Sequence, residues 1–202
     1  MILHGVLLPM LLAASVMPAG AQDFEITPFA GYRFGGDFFE LISGQRLDLD
    51  GAPAFGVVVD IPTSPGSQFE AVYTRQHADV LVPNYPLGPP SRWPMTVEHY
   101  EAGGLREFDR GAVRRFLTGA LGLTRYGTTG DDEIRFSFAA GGGVKLLPAS
   151  NIGLRLESRV FTTFVDASGQ AIACGPGTCL IAFHADVLWQ IEFTAGLVIR
   201  FR

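Results

Sequence analysis

The last segment of the chain, residues 187–201, alternates two kinds of side chain over its whole length. Every second residue is apolar, and the residues between them include a glutamine, a glutamate, a threonine, a glycine and an arginine. Because successive side chains of a β-strand point to opposite faces, this pattern predicts a strand with one wholly apolar face. Strands of soluble proteins typically have about five or six residues. The segment therefore indicates a strand that crosses a lipid bilayer.

Seven upstream segments repeat this alternation of apolar side chains with polar or small ones. They lie at residues 24–34, 54–61, 69–76, 95–108, 113–124, 133–145 and 152–164. Tilted strands of about 9–11 residues span a membrane. We therefore expect an all-β fold, an eight-stranded antiparallel up-and-down transmembrane β-barrel. An even strand number brings both ends of the chain to the same side of the membrane.

The composition excludes several other classes of protein. The chain of 202 residues is 48% hydrophobic and 17% charged, with a formal net charge of -5. This balance excludes a disordered tail and a basic nucleic-acid-binding protein. After the N-terminal segment, no apolar run approaches the roughly 18 residues that a transmembrane helix requires. The length suits one domain, and the apolar residues must be spread by alternation.

The predicted connections alternate in length, which supports the barrel independently. Residues 62–67, 109–111 and 148–150 read as short turns, whereas 35–50, 83–94, 127–131 and 166–184 are mostly longer. Short periplasmic turns and longer extracellular loops are typical of outer-membrane barrels. Aromatic residues fall near both predicted rims, where rings favour the headgroup region. They are Phe24, Phe69, Phe108 and Phe201 at the periplasmic rim, and Tyr32, Phe34 and Trp189 at the outer rim.

Residues 1–21 have the features of an export signal. An apolar stretch, residues 6–17, precedes Pro18 and the small residues that a signal peptidase requires. We expect cleavage after Ala21, which leaves residues 22–202 as a single outer-membrane β-barrel domain.

The two cysteines point to the same oxidising compartment. Cys174 and Cys179 flank a Gly-Pro-Gly turn, which allows two thiols to approach each other. In an exported protein we expect a disulfide between them. His184 is the only further metal ligand nearby, so a metal site is the weaker interpretation. No residue pattern indicates a cofactor.

The chain resembles the small outer-membrane β-barrels of Gram-negative bacteria, the OmpA-barrel, OmpX and OmpW-like group of porin-family proteins. The resemblance rests on four stretches: AGAQ at residues 19–22, FEITPFAGYRFGG at 24–36, FSFAAGGGVKL at 136–146 and FTAGLVIRFR at 193–202. It implies location in the outer membrane, contact with outer-membrane lipids and lipopolysaccharide, and insertion by the outer-membrane assembly machinery. That machinery reads a terminal aromatic residue, and Phe201 is the penultimate residue here. We expect a monomer that binds no nucleic acid.

The polar faces of the predicted strands carry charges of both signs. The positive set is Arg33, Arg114, Arg135, Lys145, Arg155, Arg159 and Arg200, and the negative set is Glu25, Asp60, Glu70, Glu101, Glu107, Glu133, Glu157 and Glu192. An eight-stranded barrel has an interior barely wider than its side chains, so these charges must pair. We expect a lumen charge network built on Arg33, Glu101, Arg135, Arg155, Glu157, Arg159 and Glu192. The three glycines at residues 141–143 would relieve crowding there.

The leading functional hypothesis is a non-enzymatic integral outer-membrane protein with a structural or surface-interaction role. Transport of small polar or hydrophobic solutes is the alternative, with Arg155, Glu157, Arg159 and Glu192 as gating candidates. A lipid-modifying enzyme ranks third. His99 and Glu101 share the inward face, but no Gly-x-Ser-x-Gly elbow accompanies them. A soluble lipocalin-like barrel ranks fourth. Apolar residues in the first and fourth loops, such as Phe38 and Ile172, indicate either a binding surface or strands that extend beyond the membrane.

Overall fold

The computed structural model describes residues 23–40, 46–82, 91–128, 132–148, 151–164, 171–175, 178–184 and 187–201. The predicted export signal and the cleavage after Ala21 lie outside the described residues. Within them, no helix is long and apolar enough to cross a membrane.

The described residues form twelve β-strands. They are β1 (Phe24–Gly35), β2 (Asp37–Glu40), β3 (Arg46–Leu49), β4 (Ala52–Ser64), β5 (Ser67–Val82), β6 (Ser91–Glu107), β7 (Val113–Gly127), β8 (Asp132–Leu146), β9 (Ile152–Phe164), β10 (Ala171–Gly175), β11 (Thr178–His184) and β12 (Val187–Phe201). The eight long strands correspond to the eight alternating segments of the sequence. Most of them are longer than the alternation alone indicated.

The eight long strands close into a barrel. In order around the barrel they are β1, β4, β5, β6, β7, β8, β9 and β12, and every neighbouring pair is antiparallel. The first and last strands seal the cylinder, with Phe24 opposite Phe201 and their rings stacked at 4.6 Å. Closure leaves no exposed sheet edge within the barrel wall. The predicted eight-stranded antiparallel barrel is therefore confirmed.

Four short strands extend the sheet beyond one end of the barrel. Strand β3 pairs with β5, β2 with β3, β11 with β2, and β10 with β11. Phe38 lies in β2 and Ile172 in β10, so strands extend into the predicted loops 35–50 and 166–184, as one of the two sequence interpretations held. Strand β6 also begins earlier than expected, at Ser91 within the predicted 83–94 connection. The physical reason is that these residues satisfy their backbone groups by pairing with neighbouring strands above the barrel. Gly35 and Gly36 have positive φ values of 86° and 109° and redirect the chain between β1 and β2.

The two faces of the barrel wall have opposite chemistry. The outward face exposes large apolar side chains, among them Trp189 and Phe55 at 61% and Leu117 at 58%. The inward face buries polar and charged side chains, with Arg33 and Lys145 at 0% exposure. A soluble barrel would have the reverse arrangement, because water rather than lipid would surround it. The short turns lie at one end, here called the turn end, and the additional strands at the other, the loop end.

Candidate functional site: the barrel lumen

Lys145, the only lysine of the chain, is the centre of a charge cluster near the turn end. Its ammonium group donates hydrogen bonds to Glu25 at 2.7 Å, Asp60 at 2.9 Å and Gln68 at 2.7 Å. These acceptors belong to β1, β4 and β5, which lie across the lumen from β8. A single inward lysine therefore connects opposite sides of the barrel wall.

Two arginines of β9 extend this cluster toward the middle of the lumen. Arg155 donates to Asp60 at 2.8 Å, to Glu70 at 2.5 Å and to Glu157 at 2.8 Å. Arg159 donates to Glu70 at 2.8 Å and to Glu157 at 2.6 Å. All these side chains are buried, so each charge is balanced by direct contact rather than by water. We call this set, together with Lys145 and its partners, the turn-side cluster.

A second group, the loop-side cluster, forms around Arg33 of β1. Arg33 makes an ion pair with Glu192 at 2.5 Å and donates to the Thr74 hydroxyl at 2.7 Å. The Gln76 side-chain amide donates to the backbone carbonyl of Arg33 at 3.0 Å. Nearby, His99 contacts Gln190. Neutral amides and hydroxyls here satisfy the donors and acceptors that the ion pair leaves available.

Two inward aromatic rings accompany the clusters. Phe161 stacks on His99 with ring centroids 4.0 Å apart, and the Arg33 guanidinium lies 5.0 Å from the same ring. On the turn side, the Arg155 guanidinium lies 4.5 Å from the ring of Phe116. A cation over an aromatic face is attracted to the ring and is shielded from other polar groups. The sequence interpretation did not place either ring in the lumen, although both occupy inward positions of their strands.

The structure brings together most of the residues predicted for the lumen network. Arg155, Glu157 and Arg159 belong to the turn-side cluster, and Arg33 and Glu192 to the loop-side cluster. Glu101 accepts a hydrogen bond from Ser137 at 2.6 Å, between the two groups. Arg135 pairs instead with Glu133 on its own strand, and among the described side chains it joins neither cluster. Gln68, Thr74, Gln76 and Gln190 also take part, and their inward parity was the signal that could have identified them.

In the described part of the chain, side chains of the kind that an enzyme could use lie around His99 in the lumen. Thr124 contacts His99 Nδ1 at 2.8 Å, and His99 Nδ1 lies 3.9 Å from Glu101. His99 and Ser137 have 0% exposure, so a lipid substrate in the bilayer has no access to them. Ser137 donates to Glu101 rather than to the histidine. The Thr124 hydroxyl contacts His99, but both side chains are fully buried, so this set offers no accessible cleft to a substrate.

Outside the membrane-spanning region, Asp109 in the turn between β6 and β7 forms an ion pair with Arg115. Asp109 accepts hydrogen bonds from the Arg115 backbone amide at 3.1 Å and from its guanidinium at 2.8 and 3.0 Å. These contacts favour the charged carboxylate and lower the pKa of Asp109 to about 2. The turn therefore keeps this contact throughout the physiological pH range.

The fold of this barrel is known from other proteins. No protein-family model matches the chain, and a search of curated proteins finds no match. The solved structure of Neisserial surface protein A is similar with a TM-score of 0.60 and 15% sequence identity, over 88% of this chain and 97% of that one. The chain has the fold of the small outer-membrane β-barrels.

A second outer-membrane barrel of this fold is the protein AlkL, whose structure was determined in DMPC lipid bilayers. It is similar with a TM-score of 0.54 and 10% identity, over 94% of each chain. At this level of identity the similarity concerns the backbone fold alone.

Proposed function

We propose that the chain is an integral protein of the outer membrane of Gram-negative bacteria, where it has a non-enzymatic structural or surface-interaction role. The proposal rests on how the lumen is filled. Its two charge clusters and the two inward phenylalanines occupy the interior, and their side chains are held by direct contacts across the barrel. A solute path would require these contacts to open, which would leave buried charges without partners.

The apolar outer face supports the membrane location. Large apolar or aromatic side chains on this face are exposed on all eight barrel strands, as an outer wall in contact with lipid requires. Phe201 stacks on Phe24 where the barrel closes, and we propose that the assembly machinery reads this penultimate aromatic residue. Lipopolysaccharide and outer-membrane lipids are the expected surroundings.

We also propose the export signal at residues 1–21 and a disulfide between Cys174 and Cys179. The cysteine side chains lie outside the described residues, but the backbone register places the two residues directly opposite each other in the β10–β11 hairpin. Cα atoms of such pairs lie about 4.5–5.5 Å apart, a separation that a disulfide can bridge.

Ion conductance distinguishes the closed barrel from the transport alternative. We expect the refolded protein to insert into planar lipid bilayers without producing discrete conductance steps. A general porin prepared in the same way supplies the positive control, and heat-modifiable migration on a gel verifies that the protein is folded. Reproducible conductance steps from folded protein would contradict the closed lumen and favour transport.

A further inference from the structure

A charged row lies on the outward face of the barrel wall, directly beyond a pair of tyrosines. The rings of Tyr73 and Tyr100 lie 5.1 Å apart on adjacent strands. In the next outward row, Arg75, Glu98 and Arg125 are register partners across β5, β6 and β7. Glu98 is buried although it faces outward, because Arg125 donates to it at 2.7 Å and Tyr73 at 2.9 Å. On β5 and β6, the exposed large apolar side chains therefore end at the tyrosines.

A cavity of about 560 Å³ opens next to this row. Cavities of about 300–1,000 Å³ are typical of small-molecule sites. Most of its charged lining lies near the loop-end termini of β5, β6, β7 and β8. The charged residues that line it are Asp50, Arg75, Asp79, Arg92, Arg125 and Asp132. We call this cavity the rim cavity.

The lining of the rim cavity pairs opposite charges side by side. Arg92 bonds Asp50 at 3.1 Å and lies 3.9 Å from Asp79, and Arg125 bonds Asp132 at 2.6 Å. Exposed ion pairs of this kind contribute little to stability, so the fold does not require such a concentration of them. With three arginines and three aspartates the lining is neutral overall. A phosphate or sulfate would gain the guanidinium groups but would also meet the carboxylates.

The hydrogen-bonding groups of the rim cavity fit an uncharged, hydroxyl-bearing ligand rather than an anion. Arg92 and Asp79 keep 65% and 42% of their side-chain surface exposed, so their remaining donors and acceptors face the cavity. A sugar hydroxyl both donates and accepts, and neighbouring hydroxyls require acceptors and donors in alternation. Adjacent guanidinium and carboxylate groups provide that alternation. The lining therefore suits a hydroxyl-rich, uncharged part of a saccharide.

The position of the cavity indicates where such a saccharide would come from. Aromatic pairs such as Tyr73 and Tyr100 mark the boundary between hydrocarbon and headgroups. The rim cavity lies on the loop-end side of this pair, on a wall that faces the membrane rather than the lumen. We propose that the rim cavity binds an uncharged saccharide segment of a glycolipid in the same outer leaflet. The inference rests on the proposed outer-membrane location and adds a ligand class to the surface role.

Isothermal titration of the mature protein in detergent micelles tests the ligand class. The probes are the oligosaccharide released from lipopolysaccharide by mild acid, and the same oligosaccharide after enzymatic removal of phosphate. We expect both probes to bind with similar Kd values. Arg92→Gln and Asp79→Asn should each weaken binding about tenfold, because each removes a hydrogen bond to a charged group. The control variants Arg115→Gln and Asp109→Asn change an exposed pair at the turn end and should leave Kd unchanged.

Loss of binding after phosphate removal would overturn the inference, since attraction of an anion would then explain the affinity. Equal binding by Arg92→Gln, Asp79→Asn and the parent protein would also overturn it, as would no binding of either probe. Protein reconstituted in phosphatidylcholine vesicles, with or without lipopolysaccharide, tests the source. Weaker binding of free oligosaccharide in the lipopolysaccharide vesicles supports a membrane glycolipid, and equal binding contradicts it. Failure of the proposed outer-membrane location would give a different result from failure of saccharide binding. A barrel that does not reside in a membrane would remain soluble without detergent.

Discussion

Lys145→Met should lower the free energy of unfolding by about 3–5 kcal/mol. The substitution keeps a side chain of similar length but removes the cation that Glu25 and Asp60 share. Asp60 keeps Arg155 at 2.8 Å and Glu25 keeps Arg200 at 3.5 Å, so both buried carboxylates lose part of their compensation. Removing one partner of a buried ion pair costs more than the pair contributes, because the remaining charge is not solvated. The measurement is equilibrium unfolding in urea, followed by the loss of the folded band in heat-modifiable gel migration.

A matched control separates burial from charge. Arg115→Met removes a cation from an ion pair of similar geometry, but Arg115 is 72% exposed, so its unfolding curve should be nearly unchanged. Combining Lys145→Met with Glu25→Gln should recover part of the loss, since one carboxylate that has lost its nearest cation is neutralised. Equal unfolding curves for Lys145→Met and the parent protein would show that Lys145 is solvated rather than paired across the lumen.

Gly143→Ala should destabilise the barrel strongly, by about 1–3 kcal/mol or more. A Cβ at this position would overlap the carbonyl oxygen of Leu156 on the neighbouring strand β9 and would lie 2.9 Å from the ring of Phe116. The clash involves backbone atoms, so β8 and β9 would have to separate to relieve it. The measurement is again urea unfolding, together with the yield of folded protein on refolding into micelles.

Gly119→Ala is the matched control for this substitution. Gly119 lies on the adjacent strand β7 but faces outward, and a Cβ there meets no atom within 4 Å. Alanine should therefore be tolerated or should stabilise the barrel slightly, by up to about 1 kcal/mol, because glycine loses more backbone entropy on folding. If both alanine variants unfolded alike, the assignment of inward and outward faces on β7 and β8 would be wrong.

The strands and their faces could be predicted because the alternation of apolar and polar residues is visible in the sequence. The alternation in residues 187–201 correctly separated outward Trp189 and Phe193 from inward Gln190 and Glu192. The additional strands β2, β3, β10 and β11 show no long alternation, although the apolar residues of the first and fourth loops allowed strands there. Their pairing is decided by which backbone groups meet above the barrel, and with four to seven residues each they are too short to show a clear period.

The sequence did not reveal which inward side chains contact each other in the lumen. Parity shows that Lys145 and Asp60 face inward, but only barrel closure and the stagger of the strands bring β8 opposite β1, β4 and β5. Phe116 and Phe161 were overlooked because apolar residues at inward positions resemble ordinary lipid-facing ones. Arg135 was assigned to the network because it faces inward, but it lies near the loop end of β8 and pairs there with Glu133.

The most direct test determines whether lipid or water surrounds the outward side chains of β7. Three outward leucines of this strand are about half exposed: Leu117, Leu121 and Leu123. In a membrane-spanning barrel these side chains contact lipid. Cysteine at each position, in a background with Cys174 and Cys179 replaced by serine, carries a nitroxide label in lipid vesicles. We predict that oxygen dissolved in the lipid relaxes all three labels and that a water-soluble nickel chelate does not. Relaxation of the labels by the nickel chelate would show that water surrounds the barrel, which would contradict a membrane-spanning wall.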